Sequence, residues 1–359
     1  MVFCRDTFYT TSMDISNRQQ QIILALIKGA GSLPRLAKLP QFSEVTERTL
    51  QRDLSELVKA GLVDRQGEAR AVTYSITSVG KLNLTLSSTT LETMFADENR
   101  PSQDYDFERL DALKATPLFS KAEQKGLEGH NNTFQQKLRT APPDIIRRER
   151  QRITIELSWK SSQIEGNTYT LLETESLIKD GIPASGKSEE ETLMVLNHKK
   201  ALDFSEQHRQ LFGGQLKVQT IIELHKILGE GIISHGLRER LVGITGSNYR
   251  PLDNKFQIED ELSRLCAVIN GKDNVFEKAI LAFTYVCYLQ PFNDGNKRTA
   301  RILANAILNA HDSFPLSLRA VSVNTYKLAI LAFYELGILG NVKQVFIGQA
   351  EFAATNYAI

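Results

Sequence analysis

Cysteine is scarce: three in 359 residues, Cys4, Cys266 and Cys287, so widely spaced that neither a disulfide framework nor a paired zinc pattern can be drawn. They read as free, unreactive thiols in a reducing compartment. Long apolar runs are missing as well. The longest near-apolar stretch, 279–289, falls short of the ~20 residues that span a bilayer, and 1–12 lacks the apolar core of a signal peptide. Nor is there an excess of one charge, because 43 Lys and Arg against 42 Asp and Glu leave +1, so only local basic surfaces can attract a polyanion. The expectation is a cytoplasmic protein with no membrane partner. What the chain does have is apolar material, 42% of its residues, and a length that predicts two or three cores.

The spacing predicts helices over 19–27, 33–39 and 46–60, the last with Val45, Leu50, Leu54 and Leu57 inward and Gly61 as its stop. LVDRQGEARAVTYSIT (62–77) adds two short strand-like runs about a polar turn at Gln66-Gly67-Glu68. This unit, 13–85, resembles winged helix-turn-helix regulators, most closely in FSEVTERTLQRDLSELVKAGLV (42–63). The resemblance implies that Thr46, Arg48, Thr49, Gln51 and Arg52 face the major groove of double-stranded DNA. Ten Lys and Arg against six Asp and Glu within 16–84 lean toward that reading. A docking or dimerisation module is the alternative.

Residues 86–140 are polar and broken by prolines, with ENRPSQDYDFE (98–108) having the clearest linker composition; they read as a linker and an N-terminal helical extension. From 141 to 359 helical periodicity dominates, over 145–160, 171–179, 188–212, 218–228, 259–270, 275–289, 296–309 and 322–336. The fold class expected is mainly α, preceded by a small α+β unit.

The chemistry concentrates in LQPFNDGNKRTAR (289–301). Pro291 stops one helix, Gly295 permits a tight reversal, and a new helix begins at Asn296. Unpaired N–H groups at Gly295, Asn296 and Lys297 can cradle an anion. Arg298 and Arg301, three apart, can converge on one oligophosphate, and Asp294 offers a hard oxygen to Mg²⁺. A capped helix with solvated charges is the plainer reading of any one of these residues; their joint spacing is what argues for a site.

The segment resembles the Fic family signature HxFx(D/E)GN(G/K)RxxR at every position but the first, with supporting stretches SSQIEGN (161–167), EETLMVLNHKKALDF (190–204) and ERLVGITGSNYRPL (239–252). The resemblance, over about 140–350, implies an all-helical core with a short β-hairpin flap and transfer of AMP from ATP, with magnesium, to a hydroxyl of a protein. It implies that Asp294 holds the metal, that 295–297 with Arg298 and Arg301 hold the phosphates, and that Val242, Gly243, Ile244, Thr245 and Gly246 dock the target. It also implies that Glu165, at the end of an inhibitory helix near 145–167, pairs with Arg301 and occupies the space of the γ-phosphate.

The first signature position is a histidine in the family, the base that deprotonates the target hydroxyl. Here it is Gln290, whose amide can hydrogen-bond but takes up no proton near neutrality. His198 and His225 lie in helices, and the other four histidines do not adjoin the loop in sequence. The expectation is therefore an ATP-binding, autoinhibited protein adenylyltransferase architecture with weak or absent turnover. A non-enzymatic, nucleotide-sensing DNA-binding regulator is the alternative. The protein target, self-modification and a homodimer stay open.

Overall fold

The computed structural model describes residues 15–357. Cys4, residues 1–12 and the first two residues of the 13–85 unit lie outside them.

The N-terminal unit comprises α1 (Asn17–Ile27), α2 (Leu33–Ala37), α3 (Glu47–Lys59), β1 (Val63–Gln66), β2 (Thr73–Ile76) and α4 (Ser78–Asn83). Ser16 and Gln19 close a capping box at the start of α1, and the Thr46 hydroxyl accepts from Thr49 N at the start of α3. Ile22, Ile23, Leu36, Phe42, Leu50, Leu54 and Leu57 then meet in one core. The strands pair antiparallel, Val63 with Ile76 through Gln66 with Thr73. Their connection is longer than the expected turn, because a 3₁₀ turn at Ala69–Ala71 follows Gly67.

The stretch with linker composition is packed. It holds α5 (Ser88–Ala96), β3 (Gln103–Asp104), α6 (Glu108–Ala115) and α7 (Lys121–Thr140). A Ser120/Glu123 capping box starts α7, and Leu127 and Phe134 bury its inner face. Polar composition misleads here, because a helix needs only a narrow apolar stripe to dock.

The rest is helical: α8 (Pro143–Ile164), α9 (Leu171–Asp180), α10 (Glu189–Gln207), α11 (Gln210–Gly213), α12 (Val218–Gly229), then β4 (Tyr249–Arg250), α13 (Lys255–Gly271), α14 (Val275–Leu289), α15 (Asn296–Ala310), α16 (Val323–Leu331) and α17 (Gly340–Asn356). The run expected as one helix over 188–212 divides at His208, whose ring meets the Phe204 carbonyl. The 322–336 run ends in a π-helical turn, Ala332–Leu336.

Two differences bear on function. The expected β-hairpin flap is absent: residues 242–248 form an irregular loop with a turn, and the strand that follows, β4, pairs in parallel with β3 of the extension. The N-terminal core also takes in Leu328, Ala332 and Ile338, so that unit packs directly on the α16 region. At the centre, α14 is buried throughout 279–289 and lies against α15 and α13. Each fully buried Leu, Ile or Phe there contributes roughly 1.5–3 kcal/mol. This rigid pair positions the loop between them. Both described cysteines, Cys266 and Cys287, are buried free thiols, and burial pushes each pKa up to about 12. Among the described residues no helix is long and apolar enough to cross a membrane.

Candidate active site

The 290–295 loop is held from both sides. Gln290, capping α14, has φ +50, a left-handed conformation uncommon for a side-chain-bearing residue. Its backbone carbonyl accepts from Arg238 Nε at 2.5 Å, and Arg238 N donates to the Pro291 carbonyl at 3.0 Å. Phe292 stacks on the His225 ring, centroids 3.6 Å apart, and Asn296 brackets the turn by accepting from Phe292 N and donating to Phe292 O. Gly295 has φ +76, and a Cβ there would stand 3.1 Å from Ile233 Cδ1, so the reversal requires glycine. No side chain caps α15 at Gly295. Its leading N–H groups are left for an anion or solvent.

Arg298 and Arg301, from the first two turns of α15, are buried, with side chains 4% and 1% exposed. Arg298 Nη2 reaches Asp294 Oδ2 at 3.1 Å, Nη1 has no partner among the described residues, and burial lowers the pKa below the usual arginine value. An unpaired buried guanidinium nitrogen is costly alone, so an anion completing its shell would stabilise the site.

Arg301 is saturated instead. Nε donates to Ser161 Oγ at 2.8 Å, Nη2 to Ser161 O at 3.0 Å and Nη1 to Tyr326 Oη at 3.1 Å, while Glu165 Oε1 forms an ion pair with Nη2 at 2.8 Å. Glu165 caps the C-terminus of α8, and its Oε2 also lies 3.1 Å from Lys297 Nζ. Burial alone would raise the Glu165 pKa; Arg301 and Lys297 outweigh it and bring it down to about 2.

His198 orients the serine. Burial pulls its pKa down to about 3, so the ring is neutral. Its Nδ1 lies 2.8 Å from the Met194 carbonyl, which can only accept, so Nδ1 carries the proton. Nε2, 2.8 Å from Ser161 Oγ, must then accept from the hydroxyl, leaving the serine lone pairs to Arg301.

The structure thus brings together Asp294, Gly295, Asn296, Lys297, Arg298, Arg301 and Glu165. Gln290 is buried beside them, donating from Nε2 to Cys287 O at 2.6 Å and accepting at Oε1 from Asn296 Nδ2 at 3.0 Å. His225 adjoins the loop in space although not in sequence: Nε2 meets the Asp294 carbonyl at 3.0 Å, and burial lowers its pKa to about 4. Asp294 is exposed, and no group of three His, Cys, Asp or Glu among the described residues forms a metal cage. Ser161, His198, Tyr326, Arg238 and His225 had no assigned role in the loop pattern, because each reaches it from another helix or loop. Only Ser161, four before Glu165, stood in a motif. Arg48, Gln51 and Arg52 are exposed and Thr49 half-buried on α3, on the separate N-terminal core.

Residues 215–308 match the family described as Fic/DOC. Protein adenylyltransferase fic-1 of Caenorhabditis elegans is 25% identical over 237 residues, 63% of this chain and 45% of that protein. Protein adenylyltransferase Fic of Nematostella vectensis is 31% identical over 155 residues, 42% of this chain and 36% of that one. The chain thus spans less than half the length of either relative. The solved structure of Fic-1 from C. elegans covers 96% of this chain and all of its own, at TM-score 0.52 and 17% identity, a likeness of fold. A Fic family protein from Desulfovibrio desulfuricans G20 follows at TM-score 0.51 and 20% identity, covering 71% of this chain and 75% of its own.

Proposed function

Residues 215–308 form a Fic/DOC family domain, and on that premise we propose that the chain binds ATP and is built to transfer AMP to a hydroxyl side chain of a protein, restrained by Glu165 and slowed by Gln290. The observation that carries the reading is the pair of buried arginines at the start of α15, one with an unpartnered nitrogen and the other held by a carboxylate. A buried cation whose only counter-charge lies on another helix is arranged to exchange that charge for a ligand's.

In this reading the amides at 295–297 and the guanidinium of Arg298 hold the phosphates. Terminal phosphate oxygens compete with Glu165 for Arg301, and the carboxylate repels them while it stays. Asp294, a single exposed carboxylate, fits a magnesium ion that is held mainly by the nucleotide, since Mg²⁺ is commonly bound by one or two carboxylates plus substrate phosphates. Bound there, magnesium would neutralise charge between phosphate oxygens. The 242–248 loop would take the target backbone.

Gln290 has both amide groups engaged within the loop and can accept no proton from an attacking hydroxyl. His225 is poorly matched to that task, because burial lowers its pKa to about 4 and its Nε2 is engaged by Asp294. The test is magnesium-dependent ATP titration of the chain beside Gln290→His, with labelled AMP transfer measured in Gln290→His/Glu165→Gly. Transfer in the double variant and ATP binding in both support the reading; no labelled protein from the double variant would overturn it.

A further inference from the structure

The 242–248 loop has an anchor that the sequence pattern did not suggest. Glu335, in the π-helical turn 332–336 and only 3% exposed, accepts at Oε1 from Ser247 Oγ (2.7 Å) and Asn248 N (2.9 Å). The same carboxylate takes a two-point contact from Arg100 of the extension, Nε to Oε2 at 2.8 Å and Nη2 to Oε1 at 3.1 Å. Arg100 uses its other N–H groups on backbone carbonyls: Nη1 on Phe95 (2.8 Å) and Asp97 (3.0 Å), Nη2 on Gly246 (2.8 Å). All five guanidinium donors are therefore engaged. Asn248 Nδ2 closes the ring by donating to the Arg100 carbonyl at 2.7 Å, and β3 pairs with β4 immediately beyond.

A π-helical turn has a distorted hydrogen-bond ladder and is uncommon outside functional sites. Here its own carbonyls are capped from the extension too, since Arg109 Nη1 donates to Phe333 O at 2.6 Å and Tyr334 O at 3.2 Å. Tyr334 in turn places its hydroxyl 3.4 Å from Gln290 Nε2. One short turn thus touches both the loop and position 290.

We propose that Arg100 and Glu335 are positioning residues that fix the backbone of the 242–248 loop and thereby set the binding of the target polypeptide without touching the nucleotide. The second half of that statement rests on the proposed function; the first does not.

The test is amide hydrogen exchange on the whole chain, free of nucleotide and target, comparing Arg100→Ala, Glu335→Gln and Arg100→Lys with the parent. Loss of charge-assisted bonds should speed exchange across 242–248 by about ten- to a hundredfold in Arg100→Ala, less in Glu335→Gln and least in Arg100→Lys. Exchange in 275–310 should stay as it was. An unchanged loop in Arg100→Ala overturns the proposal, and so does an equal acceleration through 275–310, which would mark general loosening. In the Gln290→His background, Arg100→Ala should raise KM for the protein acceptor about tenfold with ATP affinity unchanged. If transfer occurs there and KM holds while the loop has loosened, the docking role falls. If no transfer occurs at all, the functional reading fails and the exchange result still decides the anchoring.

Discussion

Two helices of this chain carry a pair of arginines near their N-termini, α15 at Arg298 and Arg301 and α3 at Arg48 and Arg52, and a sequence pattern treats both as anion-binding faces. Their surroundings differ in kind. On α15 the side chains are 4% and 1% exposed, braced by Asp294, Ser161, Tyr326 and Glu165. On α3 the Arg52 side chain is 65% exposed and lies 3.8 and 3.9 Å from Asp53 and Glu56, on a face that also carries Glu47. The Thr46 and Thr49 hydroxyls face each other at 2.9 Å in the helix cap. Taking a guanidinium out of water costs several kcal/mol, so a fold that does so twice in one turn has a preorganised charge there. A solvated arginine among acids costs nothing and requires no ligand to explain it.

The comparison is sharpened most by restoring the base. In Gln290→His/Glu165→Gly, AMP transfer should exceed that of Glu165→Gly alone by about 10²- to 10⁴-fold, the range of general-base catalysis. Radiolabelled or mass-detected AMP on protein measures it, and equal rates would show that position 290 carries no proton.

Next in size is the buried pair itself. Arg301→Ala removes the cation and leaves Glu165 with only Lys297, so unfolding free energy should fall by about 3–5 kcal/mol. Denaturant titration reads this directly, and a loss below 1 kcal/mol would mean that Arg301 is not the structural hub its contacts describe.

Much of this was legible beforehand because the loop's features are local. Pro291, Gly295 and the spacing of Arg298 and Arg301 act within one turn of chain, and α14 and α15 have unmistakable periodicity. Contacts between distant segments were not legible. Nothing near position 301 announces Ser161, His198 or Tyr326, and ENRPSQDYDFE reads as a tether although Arg100 within it is held by Glu335. The flap was expected as a hairpin, but its backbone is organised by side chains of the extension and the π-helical turn, which no alternation of residues can encode.

Releasing the internal carboxylate tests the α15 site without chemistry. Glu165→Gly in the chain as it stands should tighten ATP about ten- to a hundredfold, since one competing charge-assisted contact is worth about 1.5–3 kcal/mol. Calorimetry measures it. Equal affinity in both chains would place the nucleotide away from Arg301.

Acid separates the two regions next. Folding lowers the pKa of His198 to about 3 and of His225 to about 4, burial being the main cause in each, so the unfolded chain binds protons that the folded one refuses. Stability from these groups is full above the ordinary value near 6.5 and falls as pH drops below it. Glu165 behaves oppositely in origin: its depressed pKa, about 2, keeps the pair with Arg301 charged until pH falls from about 4.5 toward 2. Denaturation at pH 7.5 and 5 should therefore show a loss that His198→Gln lessens, while ATP inhibition by Glu165 persists at pH 5.

The smallest effect is expected on α3, and it is the one that could reverse the comparison. Arg48→Ala and Arg52→Ala should each change stability by no more than about 0.5 kcal/mol, the scale of exposed charges with loose partners. The thermal transition of the whole chain measures this. A larger loss would show that the exposed face carries tertiary contacts. A salt-dependent affinity for duplex DNA that falls in Arg52→Ala, with a slope change near one in log–log form, would show that solvated arginines can constitute a binding face here without burial. In that case burial would mark where the fold holds charge in reserve, and exposure would mark where a partner must bring the counter-charge itself.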